Sequence, residues 1–250
     1  MGVRARQIAY SVGTISSPLL YNAIGGYLIF FYTDVVRLRI GLISLAYGIS
    51  YGVWNAINDP LVGQLSDRTR SRWGRRIPFV FLGAPLAAVL FFLVWSPPVG
   101  GHTLADPGNL GIFAWLFVTI GLFDLAFSAA NTSYAALFPE MYRSLEERAR
   151  VSVYRQIGAV VGLLLALGGT PLIVQQLSGR FGTFGGWSFT AAGIAIVAWA
   201  GFWISLAGSR EHPYGQQEDS LPLGPALKAT FGNRAFLAAA VAMLAVYVIW

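Results

Sequence analysis

The chain has 250 residues, of which 56% are hydrophobic and only 11% are charged, and its formal net charge is +6. Soluble domains carry about 25% charged residues, so this composition excludes an ordinary soluble domain and predicts an all-α polytopic membrane protein. The chain contains no cysteine, which excludes disulfides and thiolate metal sites.

Six apolar segments are predicted to cross the membrane, because each approaches or exceeds the roughly 20 residues that span hydrocarbon. They cover about 8–32, 40–65, 77–97, 110–138, 151–175 and 187–206. A polar segment over 207–234 follows, and the apolar run 235–250 after it is too short to span by itself.

These segments predict the domain organisation. Residues 1–206 are expected to form an amino-terminal bundle of six transmembrane helices, 207–234 a cytoplasmic linker between bundles, and 235–250 the truncated start of a seventh helix. We therefore expect the chain to be a fragment of a twelve-helix carrier, with a missing carboxyl-terminal six-helix bundle as its partner.

The basic residues predict the orientation. With the amino terminus placed inside, all but three of the 17 Lys and Arg residues lie in inner segments, the exceptions being Arg37, Arg39 and Arg180. Cytoplasmic loops are enriched in Lys and Arg, so we expect a cytoplasmic amino terminus in the plasma (inner) membrane. The arginines alternate with spans and form no continuous basic face, so the expected partner is the lipid bilayer and not nucleic acid.

The second predicted span carries a carboxylate, Asp59, in its inner half. Asn55, Asn58 and Asp59 lie at i, i+3 and i+4, which is one face of a helix. An ionisable side chain at this depth usually faces a wet cavity or a partner. We therefore expect these three side chains to face a cavity.

The fourth predicted span carries a similar face, with Asp124, Ser128 and Asn131 at i, i+4 and i+7. Asp59 and Asn131 lie at similar distances from the inner ends of their spans, so the two faces are expected to meet. Their carboxylate, amide and hydroxyl oxygens suit a hard cation such as Na⁺, or a protonatable carboxylate. The alternative is that these groups only hydrogen-bond one helix to the other.

The loop between the second and third spans, 66–76, is rich in arginine. Asp67 stands at the helix junction, and Arg68, Arg75 and Arg76 share the loop with it. A carboxylate that pairs with these arginines in one conformation and releases them in another would act as a gate latch. The alternative is positive-inside anchoring, which we favour for the other two arginines of the loop.

Two short motifs predict local structure. Ser144 and Glu147 have the spacing of a capping box, which predicts a helix that begins before the fifth span. The chain also contains two pairs of glycines four residues apart, Gly48/Gly52 and Gly158/Gly162. Such small-xxx-small pairs let neighbouring helices approach closely.

Two stretches carry a family resemblance: FYTDVVRLRIGLISLAYGISYGVWNAINDPLVGQLSDRTRSRWGRRIPF and the later SYAALFPEMYRSLEERARVSVYR. They resemble the glycoside–pentoside–hexuronide:cation symporters, the melibiose-carrier branch of the major facilitator superfamily. The resemblance implies a twelve-helix carrier of two six-helix bundles that works by alternating access. It also implies a cation site on the second and fourth helices.

The resemblance assigns the predicted cation residues. Asn58 and Asp59 match the motif of the family. Ser128 stands where the melibiose carrier has Thr, and Asn55 departs from a pattern that has Asp there. Because one carboxylate is lost, a proton on Asp59 is as plausible as Na⁺. No cofactor other than this coupling ion is expected, and no metal beyond a possible Na⁺ at Asp59.

The resemblance also bears on the solute. Sugar-binding carboxylates of the melibiose carrier would fall near Pro18 and Asn131, and neither residue is acidic here, whereas Asp124 is extra. We predict that a solute site is formed by Asn131, Asp124, Tyr21 and Asn22.

Three functions are compatible with these residues. The first is a cation-coupled symporter of a sugar or glycoside, and the second is a carrier of the same fold for a lysolipid or other amphipath. The third, less favoured, is a non-transporting membrane sensor or assembly subunit. An enzyme is not expected, because no nucleophile elbow, phosphate loop or metal cluster is present in the sequence.

Overall fold

The computed structural model describes residues 2–98 and 109–211, together with the single positions Gly232 and Ala238. The chain divides into two compact units, Met1–Gln216 and Gln217–Trp250. In the first unit the described residues form helices and connecting segments without any strand, as the predicted all-α class requires. In the second, Gly232 and Ala238 are helical. The rest of the predicted seventh-helix start, and the linker from 212 onward apart from Gly232, lie outside the described residues.

Seven α-helices and three π-helical segments make up the described part of the first unit. The helices are α1 (Val3–Phe30), α2 (Ile40–Gly48), α3 (Asn55–Arg68), α4 (Ile77–Val94), α5 (Leu110–Met141), α6 (Leu145–Leu164) and α7 (Thr170–Gly208). The π-helical segments are Phe31–Val35, Ile49–Trp54 and Leu165–Gly169. Such segments are rare and frequently occur at functional sites. The one at Ile49–Trp54 joins α2 to α3 directly before the predicted cation residues.

Several of these helices are long and apolar enough to cross a membrane. Among the described residues they are Ile77–Val94, Leu110–Met141 and Leu145–Gly208, with the bent pair Ile40–Trp54 and Ile57–Arg68 as a fourth if it forms one span. The stretch Leu145–Gly208 is kinked at Gly182, whose φ of 75° lies in the left-handed region that glycine adopts without penalty. This kink falls between the predicted fifth and sixth spans. With 28 residues, α1 is about 42 Å long at 1.5 Å per residue, although polar side chains interrupt its apolar surface.

Side-chain caps begin two of the helices. At the start of α5, Asn109 Oδ1 accepts a hydrogen bond from the Ile112 backbone N–H at 3.0 Å. At the start of α6, Ser144 Oγ accepts from the Glu147 backbone N–H at 3.2 Å. The predicted cap at Ser144 is thereby confirmed, since it satisfies a donor that the first helical turn leaves free.

The packing of the helices brings the second and fourth predicted spans together. α3 packs against α5, α4 against α5 and α7, and α1 against α6 and α7. α1 also reaches α5 through Tyr10 and Tyr134, whose hydroxyls donate to each other's backbone carbonyl at 3.0 and 2.6 Å. The polar faces of α1, α3 and α5 are therefore close in space.

Gly158 and Gly162 lie where α6 meets α1. A Cβ at Gly158 would lie 2.6 Å from a side-chain oxygen of α1, and a Cβ at Gly162 would collide with the backbone carbonyl of Ile15. The predicted close approach is confirmed for this pair. Among the described residues the prediction is wrong for Gly48 and Gly52, because a Cβ at either position meets none of their atoms within 4 Å.

We expect Gly162→Ala to lower the thermal unfolding midpoint, because the added methyl group must displace backbone atoms of α1. Overpacking of this kind costs about 1–3 kcal/mol. Gly48→Ala adds the same methyl group where no described residue lies within 4 Å, and it is the matched control. Unfolding of the two purified variants in detergent, followed by size-exclusion chromatography, measures the difference. Equal midpoints would show that α1 and α6 are not held this closely.

Candidate cation and solute site

A pocket of about 390 Å³ lies between α1, α3 and α5. We call it the polar pocket. It is lined by Ser17, Pro18, Tyr21, Asn22, Asn55, Asp59, Asp124, Phe127, Ser128, Asn131 and Thr132. Side chains spaced three, four or seven residues apart on a helix share one face, which explains why these residues converge. Of the predicted cation and solute residues, only Asn58 does not line the pocket.

Two side-chain hydrogen bonds join α3 and α5, and the donor lies on a different helix in each. Ser128 Oγ of α5 donates to Asp59 Oδ1 of α3. Asn58 Nδ2 of α3 donates to Asp124 Oδ2 of α5 at 2.8 Å. Each helix thus supplies one carboxylate and one neutral donor, and together the two bonds fix the relative depth of the helices.

The two carboxylates of the pocket differ in exposure. Asp59 is exposed, whereas Asp124 is only 3% exposed. Asn58 is fully buried, and its Oδ1 atom has no hydrogen-bond partner. A buried polar atom without a partner is uncommon, so Asn58 retains an acceptor that a hydrogen-bond donor or a cation can satisfy.

The α1 wall of the pocket presents hydroxyl, amide and aromatic groups. Ser17 Oγ donates to Asn131 Oδ1 of α5, and Asn22 Nδ2 donates to a backbone carbonyl of its own helix at 2.8 Å. The ring of Tyr21 packs edge-on against Tyr51, with the ring centroids 5.7 Å apart. A few polar groups beside an aromatic surface are typical of small-molecule sites.

The charges of the pocket favour a small cation or a proton. Its described lining includes two carboxylates and no Lys, Arg or His. Oxygen ligands suit hard cations, and an acid in a membrane-spanning helix is stabilised by a counter-charge or by protonation. Within the described ranges, no group of three or more His, Cys, Asp or Glu side chains is placed to hold a metal ion.

A second group of charges lies where the ends of α3, α4, α5 and α7 meet. We call Asp67, Arg75, Arg76, Glu140 and Glu211 the charge cluster. Arg75 Nη2 donates to Glu140, and Arg76 Nη2 lies 3.0 Å from Asp67 and 3.3 Å from Glu140. Burial acts to lower the pKa of Arg75, but the hydrogen bond and charge of Glu140, with the charges of Asp67 and Glu211, raise it overall. The guanidinium group therefore stays charged at any physiological pH.

Glu211 is not among the predicted gating residues, yet it caps α4. Its carboxylate accepts from the backbone N–H groups of Arg75 and Arg76, each at 2.6 Å, and of Ile77 at 2.9 Å. Negative charge at a helix amino terminus is favoured by the helix dipole. Three of the four predicted gating residues belong to the charge cluster, while Arg68 lies in the last turn of α3.

The all-α helical bundle agrees with comparisons to known proteins. Residues 9–249 match the family described as MFS/sugar transport protein. These findings define a multi-pass membrane protein of the major facilitator superfamily. The chain belongs to the MFS/sugar transport family, in its glycoside–pentoside–hexuronide:cation symporter group.

Three similar proteins illustrate the family. An uncharacterized symporter of Synechocystis sp. is 30% identical over 81% of this chain and 37% of its own length. An isoprimeverose transporter of Lactiplantibacillus pentosus is 27% identical over 92% of this chain and 47% of its own. A lactose permease of Lactobacillus delbrueckii subsp. bulgaricus is 27% identical over 76% of this chain and 31% of its own. The chain thus spans less than half the length of each of these relatives.

Proposed function

We propose that this chain forms the amino-terminal half of a secondary active transporter that couples the entry of Na⁺ or H⁺ to the uptake of a sugar or glycoside. The complete carrier would work by alternating access in the plasma (inner) membrane, with a cytoplasmic amino terminus. The observation that carries the proposal is the polar pocket. It gathers two carboxylates and several neutral oxygen groups from three helices, without a basic side chain among its described lining residues.

In this proposal Asp59 is the coupling carboxylate. It is exposed in the pocket, and Ser128 holds it from the facing helix. A cation or proton that binds there removes a negative charge from the site where the solute also binds, and Asn55 adds a neutral oxygen nearby. If both ligands stabilise the same occluded state, each raises the affinity for the other.

A hydroxylated solute fits the walls of the pocket. Tyr21, Asn22 and Asn131 can hydrogen-bond sugar hydroxyls, and Pro18 and Phe127 are the only apolar side chains in the described lining. The names of two relatives specify sugars as their substrates, which supports the same solute class for this chain. The predominantly polar lining gives less support to a lysolipid or amphipath.

The charge cluster suits a gate with one releasable member. The side chain of Asp67 is 37% exposed, whereas that of Arg75 is 10% exposed. An exposed carboxylate is stabilised by water after it separates from an arginine, so its release costs little. We therefore assign the latch to Asp67 and a permanent structural role to Arg75 and Glu140.

The test is uptake of labelled sugars by vesicles that contain the complete carrier, with Na⁺ and proton gradients imposed separately. We expect accumulation of at least one sugar under one of the two gradients, and its loss when an ionophore collapses that gradient. Competition by a lysolipid would favour the amphipath alternative. Failure to accumulate any sugar under either gradient would overturn the proposed function.

A further inference from the structure

Asp124 is a buried acid for which the proposed coupling step has no use. It lies within the membrane-spanning helix α5, is only 3% exposed, and accepts a hydrogen bond from the neutral amide of Asn58. Asp59 on the facing helix lines the same pocket but has a separate partner, Ser128. The two acids thus occupy different environments within one site.

A charged Asp124 would be costly at this position. A buried carboxylate needs a counter-charge or several donors, and otherwise it takes up a proton. A second carboxylate in the same pocket adds to this cost through like-charge repulsion. Because the described lining holds no basic side chain, neutralisation must come from a bound cation or a proton, and the 3% exposure of Asp124 leaves little space for the other ligands of a cation.

Asn58 can hydrogen-bond Asp124 in both its charged and its protonated form. Its Nδ2 group donates to Asp124, while its Oδ1 atom is buried without a partner. The side-chain amide of Asn58 can rotate by about 180° and exchange the positions of its oxygen and its NH₂ group, because the two groups have nearly the same shape. After that rotation, Oδ1 would accept the hydrogen bond that a protonated carboxyl donates.

We propose that Asp124 and Asn58 form a proton-binding site that is separate from the coupling site at Asp59. A proton from water binds to a carboxylate oxygen of Asp124 and leaves it neutral, while Asp59 remains the acid that exchanges its ion with the pocket. One cation then neutralises the pocket. This inference rests on the proposed function only in its assignment of the coupling ion to Asp59.

The other titratable groups near Asp124 do not share this role. The elements around it contribute Asp59 from α3, Tyr51 from the π-helical segment Ile49–Trp54, Tyr47 from α2 and Tyr21 from α1. Residues 77–94 of α4 contain no titratable side chain. Because tyrosine ordinarily titrates near pH 10, the tyrosines stay neutral, and Asp124 and Asp59 are the two carboxylates of this group.

Infrared difference spectroscopy of the complete carrier in lipid tests the assignment. A protonated carboxyl group has a carbonyl stretch that is distinct from that of a carboxylate. Because Asp59 can also carry a proton, all variants are made in Asp59→Asn, in which we expect this band at neutral pH and its loss when Asp124→Asn is added. If Asp124→Asn does not fold, Asp124→Glu provides the second variant, in which the band should persist at a shifted frequency.

Several outcomes would overturn the inference. In Asp59→Asn, absence of the band, its survival after Asp124→Asn is added, or an unshifted band after Asp124→Glu is added would each contradict a proton on Asp124. Failure of the wild type to take up sugar would overturn the proposed function but leave the spectroscopic result valid.

Discussion

Asp59→Asn in the complete carrier is expected to abolish accumulation of solute against its gradient. The amide preserves the shape of the side chain and can still accept from Ser128, but it carries no charge and cannot take up a coupling proton. Without an ion at this position, the coupling free energy between ion and solute, typically about 1–3 kcal/mol, disappears. The ratio of internal to external solute should therefore fall to that of simple equilibration, while exchange of labelled for unlabelled solute at equal concentrations continues.

A matched control separates the role of the pocket from a general effect of lost charge. Asp34 is an exposed acid in the π-helical segment Phe31–Val35, which follows α1. Thr33 Oγ1 donates a hydrogen bond to it at 2.6 Å. Asp34→Asn makes the same chemical change and lies outside the residues that line the polar pocket, so it should accumulate solute as the wild type does. Full accumulation by Asp59→Asn would remove this residue from the coupling role.

Seven of the eleven described lining residues of the pocket are among the predicted cation and solute residues, because helical spacing is a local property. Asn55 and Asp59 share a face at i and i+4, as do Asp124 and Ser128. The two side-chain hydrogen bonds between α3 and α5 cannot be predicted in this way. The partner of each carboxylate depends on how α3 and α5 are rotated and displaced relative to each other, and contacts with α1 and α4 decide that geometry.

The same distinction explains which fold predictions fail. The cap at Ser144 depends on residues three positions apart, and the structure contains it. The glycine pairs at 48/52 and 158/162 have the same spacing, yet among the described residues only the second pair faces a backbone. Glu211 provides the extreme case, because its donors lie more than 130 residues away in sequence. An acid after the end of α7 gives no local sign that it caps α4.

Arg75→Gln is expected to have the second large effect, a loss of stability rather than of coupling. Arg75 is 8% exposed and donates to the largely buried Glu140. Removal of one member of a buried ion pair typically costs about 3–5 kcal/mol, because the remaining charge loses its partner. Arg76 still lies 3.3 Å from Glu140, so we expect the lower end of this range, measured as a reduced thermal unfolding midpoint of the purified carrier.

Three further variants show whether the reduced midpoint of Arg75→Gln comes from the lost partner of Glu140. Arg72 is an exposed arginine of the same loop that stacks on Trp73, and Arg72→Gln should leave the midpoint unchanged. Addition of Glu140→Gln to Arg75→Gln should restore part of the lost stability, because no unpaired carboxylate then remains. Asp67→Asn should alter the transport rate with little change in the midpoint, because this exposed carboxylate is assigned to the latch. If Asp67→Asn instead destabilises the carrier as much as Arg75→Gln does, the charge cluster is a single structural unit and contains no latch.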